Sequence, residues 1–205
     1  MTKKDSFFSV RTTDAIYLGK TLLFATGTKW KKLDVPGSKE FENRGVAYCA
    51  LCDAPLFKNK IIAVVGGSDS AAKDALLLAE HAKKVFIIYR KENIRAEPIN
   101  LARIKANPKI EIITKSNVLE VQGTKKLEQV KLDNEYQGSN LLKLDGLFIA
   151  IGHVVLSELA EKLGVSLNEK KEIILNHKTS ETNLPGVYAA GDVADKPFKQ
   201  AITGV

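Results

Sequence analysis

The sequence predicts an α/β protein with a parallel sheet, and three observations carry that expectation. Residues 60–65 are a short β-branched run that breaks at Gly66-Gly67. Residues 68–81 then place Ala72, Ala75, Leu76 and Ala79 at helical spacing, and residues 85–89 form a second apolar run. Strand, glycine turn, helix and strand within about thirty residues make a βαβ unit, whose parallel pair is joined by a right-handed crossover.

The other elements follow in order. Phe7, Phe8 and Val10 alternate weakly, Ile16 and Tyr17 follow, and residues 21–25 read as a buried run ending in Thr26-Gly27. Two strands joined by a turn, then a loop, are expected there. Over residues 33–45 the turn formers Pro36, Gly37, Ser38 and Asn43 dominate and mark an expected domain crossing. Beyond the βαβ unit come a helix over 98–105 and a strand over 110–114. Short alternating strands near 118–122, 127–132 and 141–144 predict a small antiparallel meander inserted in the α/β unit. Residues 146–151 are a continuous apolar strand ending at Gly152-His153. A short helix over 156–163, a strand over 173–175 and a last strand over 187–190, closed by Gly191-Asp192, complete the chain.

Composition excludes several classes. With 205 residues and 44% hydrophobic content the chain reads as globular, large enough for one sizeable core or two small ones. Its net charge of +7 comes from lysines scattered in ones and twos, the pattern of a solvated surface rather than a nucleic-acid footprint. The longest apolar runs fall far short of the ~18 residues that span a bilayer, so no membrane association is expected, and Met1 to Asp5 leads into no secretory h-region. Both cysteines of the chain lie in one Cys-x-x-Cys, which fits a reducing cytoplasm.

Cys49-Ala50-Leu51-Cys52 spaces two thiols for closure of a small disulfide ring, and a helical turn opening at Cys52 would favour thiolate there. Asp53 is ionisable and in reach of a departing thiolate. Half of a zinc site, or two inert buried thiols, are the alternatives. A zinc site would draw on His81, His153 and His177, yet no second Cys-x-x-Cys and no His-x-x-x-His occurs.

Gly66-Gly67-Ser68-Asp69-Ser70-Ala71 lies between strand and helix, where the N–H groups of a helix start can receive a pyrophosphate. In this Rossmann-like frame Gly66 is the first glycine, Ala71 takes the small third position, and Ser68 replaces the middle glycine. That replacement either loosens binding or contributes a hydroxyl. About twenty residues on, where an acidic residue would receive the ribose hydroxyls of NADH, stand Tyr89-Arg90-Lys91, with Arg95 soon after. A cationic cluster suits a 2′-phosphate and therefore NADPH. A solvated basic turn is the alternative, because Glu92 and Glu97 lie close by.

Together and in this order, these features resemble thioredoxin reductases of the low-molecular-weight bacterial and archaeal kind. The resemblance runs through Ala25-Thr26-Gly27, Gly45-Val46-Ala47-Tyr48-Cys49 to Cys52-Asp53, Val64-Val65-Gly66-Gly67, Tyr89-Arg90-Lys91 and Arg95-Ala96-Glu97. It continues through Ala150-Ile151-Gly152-His153 and Pro185-Gly186-Val187 to Ala190-Gly191-Asp192-Val193 and Gln200-Ala201-Ile202-Thr203. It implies that Cys49 and Cys52 are a redox pair passing electrons from reduced flavin to a thioredoxin-like dithiol protein, with Asp53 as the acid. Gly66 to Ala71 would hold the NADPH pyrophosphate, and Arg90, Lys91 and Arg95 its 2′-phosphate. Ile151, Gly152, His153 and Gly27 would also border the cofactors, and Asp192 and Val193, with Lys199, Gln200 and Ala201, would bind FAD.

The resemblance also implies an NADPH domain inserted within an FAD domain. Residues 33–154 are then the NADPH domain, and residues 1–32 and 155–205 are two pieces of an FAD domain whose glycine-rich lobe is expected to be missing. Val154-Val155 departs from the usual small residue and proline, and Lys91 replaces a frequent arginine. Exposed edges on the flanking pieces would be covered in a homodimer or by a partner. A NADP(H)-binding module without flavin catalysis and the flavoprotein component of a peroxide-reducing system are the other functional readings. The latter usually prefers NADH, against which the basic cluster argues.

Overall fold

A computed structural model of the chain describes residues 1–4 and 7–196. It divides into two compact units, Met1–Trp30 with His153–Val205, and Lys31–Gly152. The first unit opens with β1 (Thr2–Lys4), β2 (Phe7–Arg11) and β3 (Ile16–Gly19), paired antiparallel in that order. Two short strands follow, β4 (Leu22–Phe24) and β5 (Thr28–Trp30).

In the second unit, β6 (Val46–Ala47) leads through Cys49 into a single helical turn, α1 (Ala50–Asp53), and a 3-10 turn at Ala54–Phe57. The βαβ unit is β7 (Ile61–Val65), α2 (Asp69–His81) and β8 (Lys84–Ile88). Then come α3 (Pro98–Ala106) and β9 (Ile110–Ile113), followed by the meander β10 (Val118–Gly123), β11 (Leu127–Tyr136) and β12 (Ser139–Lys143), and finally β13 (Gly146–Ile149). The sheet is parallel with the order β6-β13-β7-β8-β9.

Alternation along these strands splits the core in two. Ile62, Val64, Val85, Ile87 and Phe148 join Ala71, Ala72, Ala75 and Leu78 of α2 on one face. Ala63, Phe86, Ile88, Leu147 and Ile149 join Val121, Val130 and Leu142 of the meander on the other. A parallel sheet covered on both faces needs apolar residues at every position, which is why its strands read as continuous runs. The alanines let α2 sit close to the sheet.

The chain re-enters the first unit at β14 (His153–Val155), antiparallel to β5, then forms α4 (Glu158–Leu163) and β15 (Val187–Ala189), parallel to β4. Phe8, Phe24, Ala160, Ile173, Val187 and Val193 centre its core. Several expectations are corrected here. The run 21–25 is not buried throughout: Phe24 is, while Leu23 is 59% exposed, because adjacent residues of a strand face opposite sides. Residues 173–175 form no strand, and Ile173 makes isolated bridges to Leu167 and Ala194. The turn-rich stretch 33–45 lies within the second unit, and the units part at Trp30–Lys31 and Gly152–His153. Among the described residues no helix is long and apolar enough to cross a membrane.

Asp74 is the misfit of α2. It is half-buried, has no hydrogen bond or ion pair among the described residues, and burial pushes its carboxyl up to about 6 from 3.8. The folded chain thus holds a proton between pH ~4 and ~6 that the unfolded chain has released, so this group's contribution to stability falls as pH rises through that window. Asp74→Asn is expected to stabilise the fold by about 1–2 kcal/mol at pH 7.5 and to leave it unchanged at pH 4. Thermal unfolding at the two pH values checks this; an equal shift at both would remove the ionisation argument.

Candidate nucleotide and dithiol site

The carboxyl ends of the parallel strands gather the chemistry of the second unit. From β7 the chain moves through α2 to β8 on one side, while β13 is laid down last on the other. The crevice between β7 and β13 is therefore a point where the strand order reverses, the place where open α/β sheets receive ligands. A cavity of about 410 Å³ lies there, bordered by Val65 to Ser68 after β7, Tyr89 and Arg90 after β8, and Ala150 to Gly152 after β13.

Gly66 makes the turn possible. Its φ is +152°, and a Cβ would stand 2.4 Å from the Ala150 carbonyl oxygen and 3.0 Å from Ala71 Cβ, so only glycine fits. Ser68 caps α2, its Oγ accepting the Ala71 N–H at 3.5 Å. The hydroxyl left open by the sequence is thus used by the helix itself. Ser70 is exposed, and Ala71 is fully buried beneath the turn. The first-turn N–H groups of this helix, which have no carbonyl ahead of them, remain the natural anion receptors.

Asp69 does something the sequence did not predict. Its carboxylate accepts the Glu97 N–H at 2.9 Å and the Asn100 Nδ2 at 2.8 Å and pairs with Lys73 at 2.8 Å. Hydrogen bonds from Lys73, Asn100 and Glu97 pull its carboxyl down to about 2. Asp69 therefore ties the start of α3 to the start of α2. The Arg95 N–H also donates to the Gly67 carbonyl at 2.6 Å, which fixes the segment carrying Arg95 beside the Gly66–Ser68 turn.

Lys31, Arg90 and Arg95 border the cavity, and no carboxylate does among the described residues. Lys91 is exposed and is not one of the bordering residues. The Lys31 N–H donates to the Gly152 carbonyl at 2.9 Å, which brings a cation from far back in the sequence to the cavity. Ser116, Asn117 and Val118 form another wall. Lys115 adopts a left-handed φ of 53°, and the Ser116 N–H donates to the Tyr89 carbonyl, hooking this turn over the end of β8. Both Lys31 and this turn escaped sequence reading; topology alone brings them near Gly66. Tyr89 was legible only as the neighbour of Arg90. The set fits a dinucleotide with a 2′-phosphate: a glycine cradle, a helix start, and cations without a competing acid.

Cys49 and Cys52 are joined as a disulfide, with Cα atoms 5.3 Å apart. The helical turn opens at Cys49, not at Cys52. Cys49 is its N-cap, and its Sγ accepts the Cys52 N–H at 3.2 Å. When the disulfide opens, that donor favours negative charge on Cys49. Asp53 closes the turn, its N–H donating to the Cys49 carbonyl. Among the described residues no group of three or more His, Cys, Asp or Glu side chains is placed to hold a metal.

A disulfide after β6 and a crevice at β7 and β13 share one sheet, and the model of the pyridine nucleotide-disulphide oxidoreductase family matches residues 2–205. The chain belongs to that family. Relatives of this chain include the thioredoxin reductase of Spironucleus barkhanus, 42% identical over 88% of this chain and 59% of that protein. Mitochondrial thioredoxin reductase 1 of Arabidopsis thaliana is 40% identical over 96% and 55%. The crystal structure of Lactococcus lactis thioredoxin reductase matches with a TM-score of 0.85 at 35% identity, over 99% of this chain and 67% of that one. The chain spans less than two thirds of the length of these two curated relatives.

The first unit holds the remaining candidates. Gly27 has φ +63°, and its carbonyl accepts the Leu156 N–H. The His153 ring lies 4.4 Å from that of Trp30. Asp192 and Val193 sit in the 3-10 turn Gly191–Val193, with the Val193 side chain fully buried and its carbonyl accepting the Ile173 N–H. Ile151, in the second unit, packs on the meander-side core and borders the cavity. Lys199, Gln200 and Ala201 lie outside the described residues.

Proposed function

We propose that this chain is the NADPH-binding and dithiol part of a cytoplasmic flavoprotein disulfide reductase that serves thioredoxin or a similar small dithiol protein, in a homodimeric enzyme. What supports the reading most is the cationic cavity, free of carboxylates among the described residues, on the same sheet edge as the Cys49–Cys52 disulfide. Gly66 to Ser68 and the start of α2 would hold the diphosphate, and Arg90, Arg95 and Lys31 the 2′-phosphate. Gly27, Asp192, Val193 and residues 199–201 would contribute to an FAD site. When bound, the nucleotide and the flavin supply the electron pair that opens the disulfide.

The chain's own residues then carry thiol–disulfide exchange. The Cys49 thiolate, favoured by the Cys52 N–H, attacks a sulfur of the partner's disulfide and forms a mixed disulfide, releasing the partner's other sulfur as thiolate. Asp53 stands one residue beyond the pair and would supply the proton to a departing sulfur. Cys52 then attacks Cys49, re-forming the ring and releasing the partner as a dithiol. One disulfide is made and one is reduced.

Calorimetry with NADPH and NADH tests the nucleotide half. The chain is expected to bind NADPH at least about tenfold more tightly, since the 2′-phosphate adds charge-assisted hydrogen bonds. Equal affinities would remove the role given to Arg90, Arg95 and Lys31.

A further inference from the structure

β3 is an outer strand of the sheet β1-β2-β3, and no strand among the described residues pairs with its far side. The strand carries no charge and no proline, and its apolar residues are exposed: Ile16 by 56%, Tyr17 by 62% and Leu18 by 71%. Natural sheets normally protect such an edge with charges, proline or a covering segment, because its unpaired N–H and C=O groups template pairing with another chain. Here the charges stand beyond its two ends, Asp14 before it and Lys20 after it, both exposed.

The hairpin fixes which groups face outward. The Thr12 N–H donates to the Ala15 carbonyl at 2.9 Å, which makes Thr12 and Ala15 a hydrogen-bonded pair. The β2–β3 register continues from it without a shift, with Arg11 opposite Ile16, Val10 opposite Tyr17 and Ser9 opposite Leu18. Hydrogen-bonded and non-hydrogen-bonded pairs alternate along an antiparallel ladder. Tyr17 therefore uses its backbone groups on Val10, while the N–H and C=O of Ile16 and Leu18 point away from β2. Side chains alternate as well, so Ile16 and Leu18 share one face with Phe7, itself exposed, and Tyr17 lies on the other.

We propose that this edge is a homodimer contact, in which β3 pairs antiparallel with β3 of a second copy of the chain, centred on Tyr17. The inference rests on the homodimeric reading above and names its surface. Two-fold pairing about Tyr17 sets each residue opposite the one equally far on the other side, so Ile16 meets Leu18 and Asp14 meets Lys20. The Ile16–Leu18 pairs are then the hydrogen-bonded ones, as their outward backbone groups require. Tyr17 meets Tyr17 in a non-hydrogen-bonded pair, where side chains come closest. Phe7, Ile16 and Leu18 of both copies form one apolar stripe, with an opposite-charge pair at each end. Centring on Ile16 would set Asp14 opposite Leu18, and centring on Leu18 would set it opposite Leu22, so the charges select Tyr17.

Sedimentation equilibrium of the full chain at low ionic strength tests the contact. The parent is expected to dimerise and Leu18→Lys to be monomeric, since it places a charge against Ile16 of the other copy. Asp14→Lys and Lys20→Asp each set like charges opposite one another at both ends, and each is expected to weaken the dimer about tenfold. The double variant Asp14→Lys with Lys20→Asp restores opposite charges and is expected to recover the parent's dissociation constant. The substituted side chains are exposed, so far-ultraviolet circular dichroism of every variant is expected to match the parent's. A dimer unmoved by Leu18→Lys, or a double variant no tighter than the single ones, would overturn the inference and leave the homodimeric reading intact. A parent chain that stays monomeric would leave the edge to another partner and overturn both.

Discussion

Alanine at position 66 is expected to abolish NADPH binding and to destabilise the fold by about 3 kcal/mol or more. The added methyl would stand 2.4 Å from the Ala150 carbonyl oxygen and 3.0 Å from Ala71 Cβ, at a φ of +152° that side chains rarely adopt. Neither neighbour can yield cheaply. The Ala150 N–H is bonded to the Val65 carbonyl, and Ala71 is fully buried in the first turn of α2. The only relief is to move the β7–α2 turn off the end of β13, which distorts the crevice and misdirects the helix start. Gly152→Ala is the contrasting variant. Its φ is +101°, but nothing lies within 4 Å of the added carbon, so it meets backbone strain without collision and is expected to cost about 1–2 kcal/mol. Calorimetry with NADPH and thermal unfolding on both variants check the pair. Binding by Gly66→Ala within twofold of the parent would show that the turn is not the cradle.

The layered core was legible because local signals agreed with the fold. β-branched runs, a glycine break and alanines at helical spacing all point to the same βαβ unit, and strands covered on both faces cannot hide as alternating polar stretches. The elements that drifted are those whose residues take on other duties. Ser68 belongs to the helix by spacing but serves as its cap. Ile173 looked like part of a strand but is held by single bridges. The candidate site was legible where it is contiguous, at residues 49–53 and 66–71 and at Arg90 and Arg95. Lys31 and the turn carrying Ser116 were not, because a carbonyl at Gly152 and a left-handed Lys115 bring them there. No run of neighbouring residues encodes either contact. The dipole argument at the dithiol had the right physics on the wrong sulfur, since helical spacing does not say which cysteine caps the turn.

That assignment decides the second large effect. Cys49→Ser and Cys52→Ser are each expected to abolish net reduction of a thioredoxin-like disulfide by the chemically reduced chain, but by different routes. Serine is a strong N-cap, so Cys49→Ser keeps the acceptor that the Cys52 N–H uses and preserves the turn. It removes the sulfur on which charge is favoured, and no covalent adduct with the partner should form. Cys52→Ser leaves the Cys49 thiolate with its N–H donor intact but without the second thiol that closes the ring. Attack then proceeds and stops, and the mixed disulfide between Cys49 and the partner accumulates. Non-reducing electrophoresis of each reduced variant mixed with oxidised thioredoxin separates the two outcomes. The reverse pattern, an adduct with Cys49→Ser and none with Cys52→Ser, would make Cys52 the attacking sulfur. The capping hydrogen bond would then hold the turn in shape without selecting the nucleophile.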